Sequence, residues 1–427
     1  MAERALLVGV ALSSQAPGEA EASLLELERL AGSAGAEVLG RVLQARRGPD
    51  PATYIGEGKA RQLKERAEAE KADVVIFDDE LKPSQQRNLE EALGVKVLDR
   101  TQLILDVFAG RASSNEGRLQ VELAQLSYLL PRLVGMGAAL SRLGGGIGTR
   151  GPGETKLEAD RRRLRDRISL LAGEIAQVSR TRELQRQRRR KGNAKVAALA
   201  GYTNAGKSSL FNSLTSAKVY VEDRLFATLD PTVRAMEMEQ SAPMQLLLVD
   251  TVGFVRKLPH ALVAAFRATL EEVADADVVL KVVDAADPAW PGHLAAVDDV
   301  LGQVYKRYLH DRPEPEPWLV FNKCDQLSPA KLKALKAAHP GAHCVSALNQ
   351  DGLEALRQSL RARLEKGLPR GRYLIPHDAL GKLSRHFAEL RILKQEWTEK
   401  GLLLEAILSK EMKALEPYRV KGTKGGR

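Results

Sequence analysis

Hydrophobic and polar positions change period several times along the chain, and the changes mark its domains. Up to about residue 109, short β-rich runs (ALLVGVAL, AEVLGRVLQ, DVVIFDDE, VKVLD) alternate with helical ones (SLLELERLAGS, KARQLKERAEAEK, PSQQRNLEEAL). That alternation predicts a small α/β domain over 1–109. From Gly117 the period is helical, with Leu119, Leu123, Leu126, Leu130 and Leu133 recurring every three or four residues. After the glycine-rich break SRLGGGIGTRGPGETK, Leu157, Leu164, Leu171 and Val178 recur every seventh residue, with Ile168 and Ile175 beside them. This is a coiled-coil-like seam. Two helices with one apolar stripe each, joined by one loop, predict an antiparallel hairpin over 110–192 whose stripes serve packing. Residues 193–366 return to α/β alternation, opening on the strand KVAALAGY. Residues 367–427 predict a small α+β module, with PHDALGKLSRHFAELRIL as a helix, LLLEAIL as a strand, SKEMKALEPY as a helix and VKGTKGGR as a frayed tail. The fold class is therefore α/β: an N-terminal α/β domain, a helical hairpin, an α/β domain with a mostly parallel sheet, and a C-terminal α+β module.

Composition narrows the setting. A chain of 427 residues with 44% apolar content is long enough for about three domains and too apolar to be wholly disordered. No apolar run reaches ~18 residues, so no membrane span is expected. The start MAERALLVGVALSS lacks a strongly basic leader and reads as a first strand. Two cysteines, Cys324 and Cys344, are too few for a disulfide framework or a thiolate zinc site, which fits a reducing cytoplasm.

The net charge of +10 is informative once located. Between Arg111 and Lys195 there are 19 Lys/Arg against 8 Asp/Glu, so the whole excess sits in the hairpin. A basic block between near-neutral domains points to a polyanionic partner, RNA ahead of a membrane surface. The loop is longer than a helical hairpin needs and carries Arg142, Arg150 and Lys156, which favours contact over simple connection. Arg161, Arg162 and Arg163, with Arg165, Arg167 and the run Arg188–Lys191, favour phosphate contact too, although charge runs are most often solvated helix faces. The loop's formal GxGxxG follows a helix and fails as a dinucleotide fingerprint. YIGEGK resembles a phosphate loop only superficially and reads as a turn before a helix.

The chemistry lies in four motifs. Gly201, Tyr202, Thr203, Asn204, Ala205, Gly206, Lys207 and Ser208 spell GxxxxGKS between a strand and the helix that begins with Ser208 and Ser209. Its glycines let backbone N–H groups wrap phosphates and its helix N-terminus adds favourable dipole. Lys207 reaches the β- and γ-phosphates and the Ser208 hydroxyl ligates Mg2+. Asp250, Thr251, Val252 and Gly253 follow the strand MQLLLV; Asp250 can hold the metal through water and the Gly253 N–H can sense the γ-phosphate. Asn322, Lys323, Cys324 and Asp325 follow PWLVF, and the Asp325 carboxylate accepts the N1–H and N2–H of guanine, a pair that adenine lacks. Ser346, Ala347 and Leu348 follow HCV and can set a backbone N–H on guanine O6. Each tetrapeptide alone is weak; four in order, each at a strand end, predict a GTP site. Phe254 stands where Ras-like sites carry the glutamine that orients water, so hydrolysis is expected to be slow without a partner or a rearranged switch. The alternative is ordinary packing by Phe254, with the water held by another residue. Cys324 fills the variable slot of its motif.

These residues resemble the HflX family of translation-factor-related GTPases over essentially the whole chain. GYTNAGKSSLFN, FATLDPT, DTVGFV and NKCD carry the match in the GTP-binding domain. Outside it stand YIGEGK, GRLQVELAQL and, most specifically, GGGIGTRGPGETKLEADRRRL. The resemblance puts the mobile, magnesium-binding threonine at Thr228, within Phe226, Ala227, Thr228, Leu229 and Asp230; the residues alone leave Thr232 as a rival. It implies that Lys207, Thr228 and Gly253 are catalytic and that Ser208 and Thr228 hold Mg2+. It also implies a cytoplasmic GTPase, expected as a monomer, that binds the large (50S) ribosomal subunit and dissociates stalled or idle ribosomes. The hairpin would contact rRNA, its loop reaching toward the peptidyl-transferase region. The alternatives are a ribosome-assembly or RNA-chaperone GTPase that splits nothing, and a metabolic P-loop ATPase with an incidental basic hairpin.

Overall fold

The computed structural model describes residues 2–133, 152–191, 194–215, 225–226, 231–236, 245–257, 267–309, 312–366, 368–383, 387, 390–408, 412 and 414–420. They fall into two compact units, one of residues 1–180 with 222–230 and 252–269, the other of 181–221, 231–251 and 270–427.

The first unit is built on a wholly parallel sheet of order β2-β1-β3-β4, with β1 at Arg4–Leu12, β2 at Glu37–Arg46, β3 at Val74–Phe77 and β4 at Lys96–Asp99. The central strands are apolar without alternation because helices cover both faces of such a sheet; all four residues of β3 are buried. Helices α1 (Glu19–Ser33), α2 (Glu57–Glu70), α3 (Pro83–Leu93) and α4 (Arg100–Arg111) complete the layers. The Asp99 carboxylate caps α4 by accepting the Gln102 N–H at 2.9 Å, and Ser114 caps the next helix, α5 (Asn115–Arg132), through the Gly117 N–H at 2.9 Å.

The long helix α6 runs over Pro152–Lys191. Its expected seam is visible: Leu171 and Ile175 are buried, while Leu164, Ile168 and Val178 are half-buried. Arg167 donates two hydrogen bonds to Glu122, at 2.8 and 2.9 Å, which ties α6 to α5. The connecting loop, with Arg142 and Arg150, lies outside the described residues. The far end of α6 differs from expectation. Arg189 grips Glu272 at 2.8 and 3.0 Å, and buried Arg186 meets Glu271 at 3.0 Å and Asp275 at 3.4 Å. Both guanidinium groups and their carboxylate partners, on and just after the helix α8 (Arg267–Ala274), belong to the second unit. Among the described side chains of the run Arg188–Lys191, only Arg189 takes part.

The second unit holds a six-stranded sheet of order β10-β9-β8-β5-β7-β6. Strands β5 (Lys195–Gly201), β7 (Leu246–Asp250), β8 (Val278–Asp284), β9 (Glu316–Asn322) and β10 (His343–Cys344) are parallel; β6 (Thr232–Ala235) pairs antiparallel with β7 at one edge. Helices α7 (Lys207–Thr215), α9 (Trp290–Tyr308), α10 (Pro329–Ala338) and α11 (Leu353–Glu365) join α8 around it. Ala197, Leu199, Leu210, Phe211, Leu248 and Leu280 form its centre.

A three-stranded antiparallel sheet, β11-β13-β12, ends the chain, with β11 at Arg370–Ile375, β12 at Leu390–Thr398 and β13 at Gly401–Leu408. Here the expectation needs correction. Among the described residues the helix α12 runs over His377–Leu383, and LRIL belongs to β12; Glu416–Tyr418 form a 3-10 turn. Strand β12 is mostly exposed, so it lacks the alternation that marks a half-buried strand, and its pairing with β13 decides its conformation. Among the described residues no helix is long and apolar enough to cross a membrane.

Candidate guanine-nucleotide site

Four loops converge at the carboxyl ends of parallel strands β5, β7, β9 and β10, the edge at which open α/β sheets take ligands. Close approach explains the glycines of the first loop. A Cβ on Gly201 would lie 2.3 Å from the Val282 carbonyl oxygen, and one on Gly206 (φ +84°) 2.3 Å from Asn322 Nδ2. Asn204 also adopts positive φ, at 62°.

Within that loop Lys207 is buried and its ammonium donates to the Tyr202 carbonyl at 3.0 Å. Burial lowers its pKa to about 8, although the nearby Asp250 carboxylate works the other way. An ammonium held so far from water gains most when an anionic phosphate arrives. Ser208 Oγ donates to Asp250 Oδ2 at 2.8 Å, and Asp250 is fully buried at the end of β7. The Thr251 hydroxyl donates to the Leu199 carbonyl and so fastens β7 to β5.

Asn322 joins the other loops. Its amide donates to the Ala205 carbonyl at 3.0 Å and its Oδ1 accepts the Ala347 N–H at 3.1 Å. One side chain thus sets the separation of the first, third and fourth motifs. Lys323, at φ 60°, pairs with Asp284 at 2.7 Å, and this turn leaves Asp325 exposed. Ser346 is buried and its Oγ accepts the Asn349 N–H at 3.0 Å, while Leu348 projects into solvent.

The sequence reading missed two contributors. Asp284 ends β8, a position whose strand-end carboxylate was a usable signal; His293 stacks on Tyr202 at 4.0 Å and 12°, with no local signal.

The remaining expected residues belong to the first unit or lie outside the described residues. Ala227, Thr228, Leu229 and Asp230 lie outside the described residues, and the side chain of Lys156 likewise. Phe226 is buried in the first unit, at φ 58°, with its ring edge-on to Phe108 at 4.5 Å, so the side chain is a packing anchor. Val252, Phe254 and Val255 are buried in that unit as well. There Lys257 bridges Asp78 and Asp79 at 2.7 and 2.5 Å, and the Arg256 N–H donates to Glu26 at 3.3 Å. Buried Arg100 holds the same Glu26 and also Asp78, the latter at 2.7 Å. Arg161, Arg162 and Arg163 lie on α6, the last two exposed, with Arg163 3.5 Å from Asp160.

A hydroxyl and a carboxylate 2.8 Å apart are hard oxygen donors of the kind Mg2+ takes. Among the described residues no group of three or more His, Cys, Asp and Glu could hold a metal, but Mg2+ bound through one or two protein oxygens, phosphates and waters needs no such group.

The family descriptions match along the chain in order: "GTP-binding GTPase N-terminal" over 21–109, "GTP-binding GTPase Middle Region" over 111–189, and "50S ribosome-binding GTPase" over 196–323. The GTPase HflX of Caldanaerobacter subterraneus is 46% identical over 411 residues, covering 96% of this chain and 92% of that protein. That of Escherichia coli is 43% identical over 399 residues, covering 93% and 91%. A GTP-binding protein of Sulfolobus solfataricus, solved with GDP, is 25% identical over 85% of this chain and 99% of that one, with a TM-score of 0.43. With near-full-length relatives at this identity and all three regions matched in order, the chain belongs to the HflX family of GTPases.

Proposed function

We propose that this GTPase binds the 50S subunit and dissociates stalled or idle ribosomes, with GTP state controlling rRNA contact by the basic hairpin. The observation that carries the nucleotide part is that Asn322, three residues before the exposed Asp325, links the phosphate loop to the Ala347 N–H through its side chain. GTP would lie with its phosphates in the loop 201–208 and its base between Asp325 and Ala347. Mg2+ would be held by Ser208 and Thr228, with Asp250 behind Ser208 contributing through water; when bound it would neutralise charge on the β- and γ-phosphates. Lys207 would balance the remaining charge, and the Gly253 N–H would report the γ-phosphate. With buried Phe254 after Gly253, the chain's own glutamine-type water positioner is missing from that slot, and turnover alone is slow.

The ribosomal part is supported by the 50S-binding description that matches 196–323 and by the charge excess confined to the hairpin. Purified 70S ribosomes incubated with the protein and GTP, then run on a sucrose gradient, test it. Free subunits are expected. Binding to 50S precursors only, with 70S particles intact, would establish the assembly reading instead.

A further inference from the structure

Under the proposed function one cysteine lies in a loop that faces guanine and the other ends the strand that leads into the second such loop. Cys324 is the third residue of Asn322–Asp325, and Cys344 ends β10, two residues before Ser346. In the parallel pairing of β9 and β10, Cys344 is the Cα partner of Phe321. The turn after β9 then folds back over that pair. Val345 N–H donates to the Phe321 carbonyl at 2.8 Å and Cys324 N–H to the Val345 carbonyl at 3.1 Å. Both side chains enter one apolar cluster with Phe321 and Val283. The Cys324 S–H donates to the carbonyl of Phe321, the residue that pairs with Cys344, at 3.3 Å.

We propose that Cys324 and Cys344 form an oxidation site, where an internal disulfide ties the Asn322–Asp325 turn to β10 and weakens guanine-nucleotide binding. The inference rests on the reading of that turn as the guanine site. Cys344 is the more exposed thiol and reacts first. Its thiolate attacks hydrogen peroxide: an S–O bond forms, the O–O bond breaks, and hydroxide leaves. The Cys324 sulfur then attacks the sulfenic sulfur, the S–S bond forms, the S–O bond breaks, and water leaves with the Cys324 proton. In total the two thiols lose two electrons and two protons, and the peroxide becomes two waters.

Burial holds both thiols above the ordinary range, Cys324 up to about 12, while contact with Cys324 favours the Cys344 thiolate. The pair therefore resists oxidation at neutral pH and reacts faster as the pH rises. A disulfide needs sulfurs ~2.05 Å apart, well inside a non-bonded contact, so the bond must draw the turn toward β10. Recognition groups tolerate displacements of only ~0.5 Å, and Asp325 is the next residue.

The test uses the full-length protein at pH 8.5, treated with hydrogen peroxide, with fluorescent GDP affinity measured before treatment, after it, and after dithiothreitol. The expected results are a species 2 Da lighter with the two cysteine peptides linked, GDP affinity at least about tenfold weaker, and recovery on reduction. Cys344→Ser should bind GDP like the parent when reduced and keep that affinity in peroxide. Failure of the linked peptide to form, formation without loss of affinity, or an equal loss in Cys344→Ser would each overturn the proposal. Failure of the reduced parent to bind GDP would instead remove the guanine-site reading beneath it.

Discussion

At the scale of single residues, burial decides behaviour that spacing only locates. Lys207 in the free protein has its pKa depressed to about 8, because its ammonium is cut off from water. Bound phosphates favour the charged form and raise that pKa, so the complex holds more protons than the free protein above pH 8. GTP affinity should then be greatest below about pH 8 and fall as the pH rises past it. Calorimetry at pH 8.5 in buffers of different ionisation enthalpy should show net proton uptake on binding; none at that pH would mean Lys207 is already fully charged before the nucleotide arrives. Under the proposed function Asp325 would make the base contact by hydrogen-bond complementarity, where discrimination can reach ~10⁴–10⁵. Asp325→Asn should weaken GTP and improve the relative binding of xanthosine nucleotides, which present an acceptor where guanine has an amino group. An unchanged base preference in a competition assay would take Asp325 out of the site.

Elements were legible to the degree that their signals are local. The four nucleotide loops could be read because each motif directly follows an apolar strand, and the parallel sheet then aligns those strand ends. Strand β12 could not, since its residues are exposed and only pairing with β13 orders them. The triad of Arg100 with Glu26 and Asp78 was equally hidden, because its partners are 74 and 22 residues away. The end of α6 shows the same limit: Arg189, in a run that reads as free positive charge, pairs with Glu272, and the nearby Arg186 meets Glu271 and Asp275. Burial works against the Arg186 charge, and these carboxylates override it. Removing one partner of a buried ion pair strands the others, at a cost of about 3–5 kcal/mol. Arg186→Ala should therefore lower the denaturation midpoint strongly, whereas Arg167→Ala, whose pair with Glu122 is exposed, should change it little. Equal midpoints in urea titrations of the two variants would deny that the clamp contributes more than a surface pair.

At the scale of the whole molecule, the proposed nucleotide loops lie mostly in one unit and the basic hairpin sequence largely in the other. Within the first unit the stretch after Gly253 is packed among Glu26, Asp78 and Asp79. The hairpin loop is separate in sequence from every nucleotide motif. Arg150→Ala with Lys156→Ala should leave GTP affinity intact and weaken 50S association. Each lost phosphate contact should reduce the magnitude of the log-affinity against log-salt slope by about 0.7–0.9. A double variant with the parent's slope would shift the contact to Arg161, Arg162 and Arg163 on α6.

The most direct measurement is the rate of GTP turnover by the purified protein with and without 50S subunits. A slow basal rate, raised at least tenfold by 50S and left near basal by 30S, is the expected result, because Phe254 supplies no water positioner and the partner must complete the site. A basal rate that 50S subunits leave unchanged, at concentrations where binding is saturated, would contradict a GTPase cycle coupled to the large subunit.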